Sequence, residues 1–363
     1  AKAELQSRLG GDEFVVLFSG EQATEAAQNF ATQLIAMLKE PFDMDGRLAA
    51  VGASIGIATT TGIFDESEML RRSDIAMYKA KANGKNRFCI FDSAFDLERE
   101  TNLRIANDLR TIIANGSIEI VFQPVVEARS GKISGVEALA RWPSSSPKPV
   151  AADKFIAVAE TSGLIDALGA TMLDRACAAA RQWPELRMAI NISAVQLNNP
   201  GFVQRSLAVL KHHGISPQRI EFEITETSLI HDTERAKHVF KALQQVGIKV
   251  ALDDFGTGFS SIGYLRTFQF DRIKIDKSLV QKVLSSTAEL AIVQGTLLVA
   301  RGLSADVTAE GIESAEVANI LRLAGCTELQ GYHYYKPMKA DALTAVLARV
   351  GSTKPPRTLM VAS

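Results

Sequence analysis

Carboxylates recur in this sequence at one kind of place, in or just after short apolar runs. Glu137 lies in Ile133–Ala140, with Arg141 behind it, and Asn191 lies at the end of Met188–Ile192. Glu223 lies in Ile220–Ile224, with Glu226 two residues beyond the run, and Asp253-Asp254 follow Ile248–Leu252. Lys274 lies in Arg272–Ile275, with Asp276 next. Glu310 and Glu313 follow Asp306–Thr308, and Gln330 follows Thr327–Leu329. Taken singly, each acid reads as a helix cap or a solvated charge. A set of them brought to one small space would repel, and some would stay protonated.

Divalent cations resolve that conflict. Oxygen ligands with one amide, Asn191, and no thiolate or histidine at matching spacing favour a hard ion, Mg²⁺ or Mn²⁺. The adjacent pair Asp253-Asp254 lets one carboxylate bridge two ions while its neighbour binds the second. Two such ions clamp the attacking and leaving oxygens of an in-line phosphoryl displacement. Lys274 is the one cation among the acids, suited to orient a hydroxide or to offset charge on the transferring phosphoryl group. The glycine-bearing stretch Phe255-Gly256-Thr257-Gly258-Phe259-Ser260-Ser261 reads as a loop able to fold over a ligand.

The elements that must position these groups follow from the apolar pattern. Ile118–Gln123 and the seven runs above make eight short strands, and helical patterns such as Asp153–Glu160, Val195–His213 and Thr233–Val246 separate them from the second onward. Eight strands alternating with helices over about 250 residues predict an α/β chain folded as a (β/α)₈ TIM-like barrel, whose C-terminal mouth gathers the active site. The first two strands are joined by little more than Glu127–Lys132. A parallel crossover needs a dozen residues or more, so the expected barrel is a modified one with one antiparallel strand.

Residues 1–92 read as a separate mixed α/β region. Leu9 to Phe18 forms two strand ends around Gly-Gly, and 21–40 and 66–82 are helical. Leu48–Thr60 is β-like, and Arg87–Phe91 is a short strand. Its strand-rich edge begins at residue 1, so it is expected to be a domain cut on its N-terminal side. Residues 93–105 form a connecting helix, 106–350 the barrel, and 351–363, with Pro355-Pro356, a loose tail.

Composition narrows the function classes. Forty Lys and Arg against 41 Asp and Glu leave a net charge of -1, with no general attraction for a nucleic acid polymer or acidic lipid. Any anionic ligand must be held locally. The three cysteines are scattered, and no apolar run approaches the ~18 residues of a membrane span, which together predict a cytoplasmic setting for this portion.

The successive motifs resemble those of EAL domains. They are Phe122-Gln123-Pro124, Glu137-Ala138-Leu139 with Arg141, Asn191-Ile192-Ser193, Glu223-Ile224-Thr225-Glu226, Asp253-Asp254-Phe255-Gly256-Thr257-Gly258, Lys274-Ile275-Asp276, Ala309-Glu310-Gly311-Ile312-Glu313 and Gln330-Gly331-Tyr332. The resemblance runs from about 106 to 350 and implies a metal-dependent phosphodiesterase. Such an enzyme opens cyclic di-GMP, a bacterial second messenger, to linear pGpG. It further implies that Glu137, Asn191, Glu223 and Asp253 hold one metal, with Asp253 and Asp254 serving a second. Lys274 and Glu310 would position or activate the attacking water, and Glu226 would anchor the loop after the fifth strand. Arg141 and Gln330, with Gln123, Asp276 and Glu313, would contact the ligand. Pairing of the barrel into a homodimer is also implied. The run Pro143–Val150, rich in serine and proline, departs from the family's usual pattern.

Gly10-Gly11-Asp12-Glu13-Phe14, with Arg8, resembles the signature hairpin of diguanylate cyclase (GGDEF) domains. Ser54-Ile55-Gly56-Ile57-Ala58, Asp74–Lys81 and Gly84-Lys85-Asn86 match that family's later motifs, and Lys81 and Lys85 resemble phosphate-contacting positions. Only the C-terminal half of that domain is covered, and residues 1–4 do not match its product-inhibition motif. The expectation is therefore degradation without synthesis. Two alternatives stand beside it: a catalytically silent cyclic di-GMP receptor, and a bifunctional protein that binds GTP where a complete GGDEF domain exists.

Overall fold

A computed structural model describes residues 3–60, 65–226, 233–256, 265 and 267–352. The chain divides into two compact units, Ala1–Arg104 and Ile105–Ser363.

In the first unit, strands β1 (Ala3–Gly10) and β2 (Glu13–Phe18) pair antiparallel. Gly11 takes a φ of 53° at their turn, a conformation that glycine adopts at little cost, and Arg8 Nε donates to its carbonyl at 2.8 Å. Helix α1 spans Ala23–Leu38. The expected β run Leu48–Thr60 is divided. Its start lies in β4 (Arg47–Ala49), which forms a hairpin with β3 (Phe42–Met44). Its middle is β5 (Ile55–Ile57), which pairs in parallel with β6 (Phe88–Ile90). A non-local partner separated the two pieces, which local β propensity could not show. Helix α2 (Glu66–Ala82) starts at Asp65, whose side chain accepts the Ser67 and Glu68 N–H groups. It packs on β5 so closely that a Cβ at Gly56 would stand 1.9 Å from the Ser73 carbonyl oxygen.

Helix α3 covers Ser93–Ala114. Its Asp96 meets Arg71 at 2.6 Å and its Glu98 meets Lys79 at 2.6 Å. Further along, Ile105, Ala106 and Leu109 are buried with Ile118, Trp142 and Phe155.

The second unit is a closed eight-stranded barrel. Its strands are β7 (Glu119–Glu127), β8 (Ile133–Arg141), β9 (Arg187–Asn191), β10 (Ile220–Thr225), β11 (Lys249–Phe255), β12 (Arg272–Ile275), β13 (Asp306–Ala309) and β14 (Glu328–Leu329). β7 runs antiparallel to both its neighbours, β8 and β14, while the other pairs are parallel. The short Glu127–Lys132 link therefore does what its length requires. Around the barrel stand α4 (Ala152–Thr161), α5 (Ile165–Ala180), α6 (Ala194–Leu197), α7 (Phe202–His213), α8 (Thr233–Gln245), α9 (Lys277–Val280), α10 (Thr287–Gly302), α11 (Ala315–Ala324) and α12 (Ala340–Ser352). The single helix expected over Val195–His213 is two. The break falls at Asn199-Pro200, because proline pushes the residue before it out of the helical region. Among the described residues no helix is long and apolar enough to cross a membrane.

Polar side chains fill the barrel in layers. Side chains two apart on a strand share a face, so Glu221 and Glu223, Arg272 and Lys274, and Glu328 and Gln330 each place one group low and one high. The low layer is a buried ionic network. Arg272 lies within 3.0 Å of Glu221 and 2.9 Å of Glu328, and Arg187 within 3.1 Å and 2.6 Å of the same two acids. Ser134 Oγ donates to Glu328 at 2.7 Å. Two buried arginines face two buried glutamates, and the half-exposed Asp306 adds a contact to Arg272 at 3.2 Å.

Burial alone would raise the Glu328 carboxyl, but hydrogen bonds from Arg187 and the charge of Arg272 win and bring it down to about 2. Its contribution to stability is complete above the ordinary value of 4.5 and is lost as the pH falls through 2. Glu328→Ala should cost roughly 3–5 kcal/mol, because it leaves two buried guanidinium groups to share Glu221. Denaturant melts should show this loss, and the variant should lack that component of the wild type's acid sensitivity. In the first unit, Gly56→Ala should destabilise by about 1–3 kcal/mol through overpacking. Thermal unfolding of the two proteins side by side checks it.

Candidate active site

The high layer has the opposite character. Lys274, only 2% exposed, reaches its ammonium into four carboxylates. Nζ lies 2.6 Å from Glu310 Oε1, 2.8 Å from Glu223 Oε2, 3.2 Å from Asp253 Oδ1 and 3.6 Å from Glu137 Oε2. These come from β8, β10 and β11 and from the residue after β13, so the cluster exists only in the closed barrel. Two amides hold Glu137 from both sides: Asn191 Nδ2 donates to Oε1 at 2.7 Å and Gln330 Nε2 to Oε2 at 2.8 Å. The other end of the Gln330 amide, Oε1, is buried without a protein partner.

Asp253 and Asp254 sit at an irregularity. The β11–β12 register shifts between Leu252 and Phe255, and Asp254 has a φ of 55°. In a regular strand adjacent side chains face opposite sides. The shift and the left-handed residue lift that restriction, and such backbone strain is characteristic of functional positions. Asp254 is half-buried, and its N–H donates to Asp253 Oδ1 at 3.0 Å.

The electrostatics follow from crowding in a dry place. Burial, then the charges of Glu137 and Asp253, pushes the Glu223 carboxyl well up against the pull of Lys274. Burial and Asp253 raise Asp254. Burial brings Glu310 up to about 8, with Lys274 opposing and Asp253 and Glu137 adding. Glu137 goes the other way: burial opposes ionisation, but Lys274, Gln330 and Asn191 together outweigh it. Burial also works against the Lys274 ammonium, yet the surrounding carboxylates hold it firmly protonated. One ammonium cannot neutralise four carboxylates, and the donors are oxygens throughout. That chemistry suits a hard divalent cation. Among the described residues no three acids already form a metal cage; the ammonium stands between them.

The other sequence candidates lie outside this cluster. Gln123 faces Glu137 across the β7–β8 ladder, and its Nε2 donates to the Tyr335 carbonyl at 3.3 Å. Arg141 is half-buried, and its Nη1 donates to the Ala140 carbonyl at 2.9 Å. Asp276 caps α9, accepting the Ser278 N–H at 2.8 Å. Glu313 accepts from Gln281 at 3.1 Å, and Glu226 is buried. Residues 257–261 of the glycine-bearing loop lie outside the described residues. In the first unit Gly10, Gly11, Asp12, Glu13 and Phe14 form the exposed turn of the β1–β2 hairpin.

Two features escaped the sequence. A Cβ at Gly331 would stand 2.2 Å from the Ile312 backbone, so the glycine after Gln330 permits the chain after β14 to press against the chain after β13. Ser193 and Glu160, bonded at 2.6 Å, stand behind Asn191. The glycine was a visible signal; the pairing of two residues from separate elements was not.

Comparison with known proteins agrees with this geometry. The family model for the EAL domain matches residues 106–337, and that for the diguanylate cyclase GGDEF domain matches residues 1–87. The chain is 41% identical over 342 residues to an uncharacterized signaling protein of Caulobacter vibrioides, covering 93% of this chain and 42% of the relative. It is 32% identical over 348 residues to the bifunctional diguanylate cyclase/cyclic di-GMP phosphodiesterase MucR of Pseudomonas aeruginosa, covering 94% of this chain and 51% of MucR. It thus spans about half the length of these relatives. The solved c-di-GMP complex of the PaMucR phosphodiesterase superposes with a TM-score of 0.63 at 31% identity, covering 66% of this chain and 99% of that one. The acid-lined barrel with its reversed strand and the match over 106–337 lead to one assignment: the chain belongs to the EAL family, with part of a GGDEF domain ahead of the barrel.

Proposed function

We propose that the barrel hydrolyses cyclic di-GMP to linear pGpG in a reaction that depends on Mg²⁺ or Mn²⁺. The observation that carries this reading is the buried excess of carboxylate around Lys274 at the mouth of an EAL barrel. MucR, a relative over 94% of this chain, is named a bifunctional diguanylate cyclase/cyclic di-GMP phosphodiesterase.

Glu137, Asn191, Glu223 and Asp253 would hold one cation, and Asp253 with Asp254 a second. When bound, such ions supply Lewis-acid polarisation of a phosphoryl group and of water. The chain's own groups do the rest. Glu310 is bonded to Lys274, so in its ionised form the pair is suited to orient and deprotonate the attacking water. Lys274, permanently charged, offsets negative charge developing on the phosphoryl oxygens. Gln330 and Asn191 lock Glu137 in one orientation. Gln123, Arg141, Asp276 and Glu313 would bind the nucleotide around this centre, Glu226 would anchor the loop after β11, and 106–350 would be the catalytic unit.

With Mn²⁺ added, cyclic di-GMP should be converted to a product of pGpG mass, and Glu137→Ala should lower kcat/KM on the order of 10²-fold or more. A folded, metal-loaded protein that binds the nucleotide without turning it over would make the barrel a receptor instead. Metal loading should also expel protons. Burial raises the Glu310 carboxyl to about 8 and pushes Glu223 upward too, favouring their protonated forms, whereas a nearby cation favours their ionised form. Apparent Mn²⁺ affinity should therefore rise from pH 6 to pH 8, and calorimetry in buffers of different ionisation enthalpy should register the released protons.

A further inference from the structure

We propose that Ser193, tied to Glu160 and to Gln196, is a positioning residue that aims Asn191 at the metal cluster. The inference rests on the reading above, in which Asn191 is a metal ligand. Asn191 closes β9, and the chain must turn within two residues to start α6. Three elements grip that turn. Ile192 N–H donates to the Glu223 carbonyl of β10 at 2.9 Å. Ser193 Oγ donates to Glu160 Oε1 of α4 at 2.6 Å and accepts the Val195 N–H at 3.2 Å. Ser193 N–H donates to Gln196 Oε1 at 3.0 Å, and both residues are buried.

The Gln196 amide in turn lies against α5 where a glycine makes room. A Cβ at Gly169 would stand 2.1 Å from Gln196 Nε2. Glycine inside a helix is unfavourable relative to alanine, so this close approach accounts for its presence. A cavity of about 40 Å³, bordered by Gly169, Asn191, Ile192, Gln196 and Phe202, lies alongside the turn. Beside that cavity, the polar grip on Ser193 adds to the β9–β10 ladder in fixing where Asn191 stands relative to Glu137.

Groups that orient a ligand typically change metal affinity by 10–100-fold when removed. In the full chain, well below its melting temperature, Ser193→Ala should weaken Mn²⁺ binding by about tenfold in calorimetry. Gly169→Ala should do the same by displacing Gln196, although alanine is the better helix former. Glu160→Gln keeps an acceptor oxygen for Ser193 and should bind Mn²⁺ like the wild type, whereas Glu160→Ala should not. Circular dichroism melts report folding independently. Folded Ser193→Ala and Gly169→Ala proteins with wild-type Mn²⁺ affinity would overturn the proposal, even if their melting temperatures fall. A wild type that binds no Mn²⁺ would instead overturn the metal reading, and this proposal with it.

Discussion

The crowding of four carboxylates around one buried ammonium is the constraint on which the rest of this molecule depends. Each carboxylate lies 2.6–3.6 Å from the Lys274 ammonium in a largely buried site, where repulsion among the four is far stronger than it would be on a surface. Lys274 relieves only part of it, and the remainder appears as carboxyls driven toward their protonated forms. A site that carries such an imbalance favours the approach of positive charge. The imbalance is also costly to fold, so the surrounding barrel must hold each acid in place.

The barrel does so by alternation. The strands that supply Glu223, Lys274 and Gln330 to the high layer supply Glu221, Arg272 and Glu328 to the low one, two residues earlier. The low layer matches its buried glutamates with buried arginines; the high layer has one ammonium for four carboxylates. Such a division places stability at the N-terminal ends of the strands and reactivity at their C-terminal ends, as expected for a barrel of this kind. The backbone irregularity at Asp253-Asp254 falls in the reactive layer, where strain has a use.

Much of this was legible in the residues. The eight apolar runs, the short Glu127–Lys132 link and the recurrence of acids at strand ends each carry a local physical reason. The link could not cross over, so β7 had to run backwards. Where sequence reasoning failed, a distant partner or a single local veto decided. Leu48–Thr60 reads as one β segment, yet its parts pair with different strands. Val195–His213 keeps helical spacing throughout, yet Pro200 expels Asn199 from the helix.

The sequence by itself determined the family, the barrel and the chemical type of the site, because these depend on residue identity, on periodicity and on the lengths of connections. Only the tertiary structure decided which groups meet. That Lys274 touches Glu137, Glu223, Asp253 and Glu310, that Asn191 and Gln330 clasp one carboxylate, and that Glu160 grips Ser193 are facts about strand register and barrel closure. Register is a cooperative property of the whole sheet. A one-residue slip would turn every acid to the other face, so no stretch of sequence read alone could have fixed the cluster.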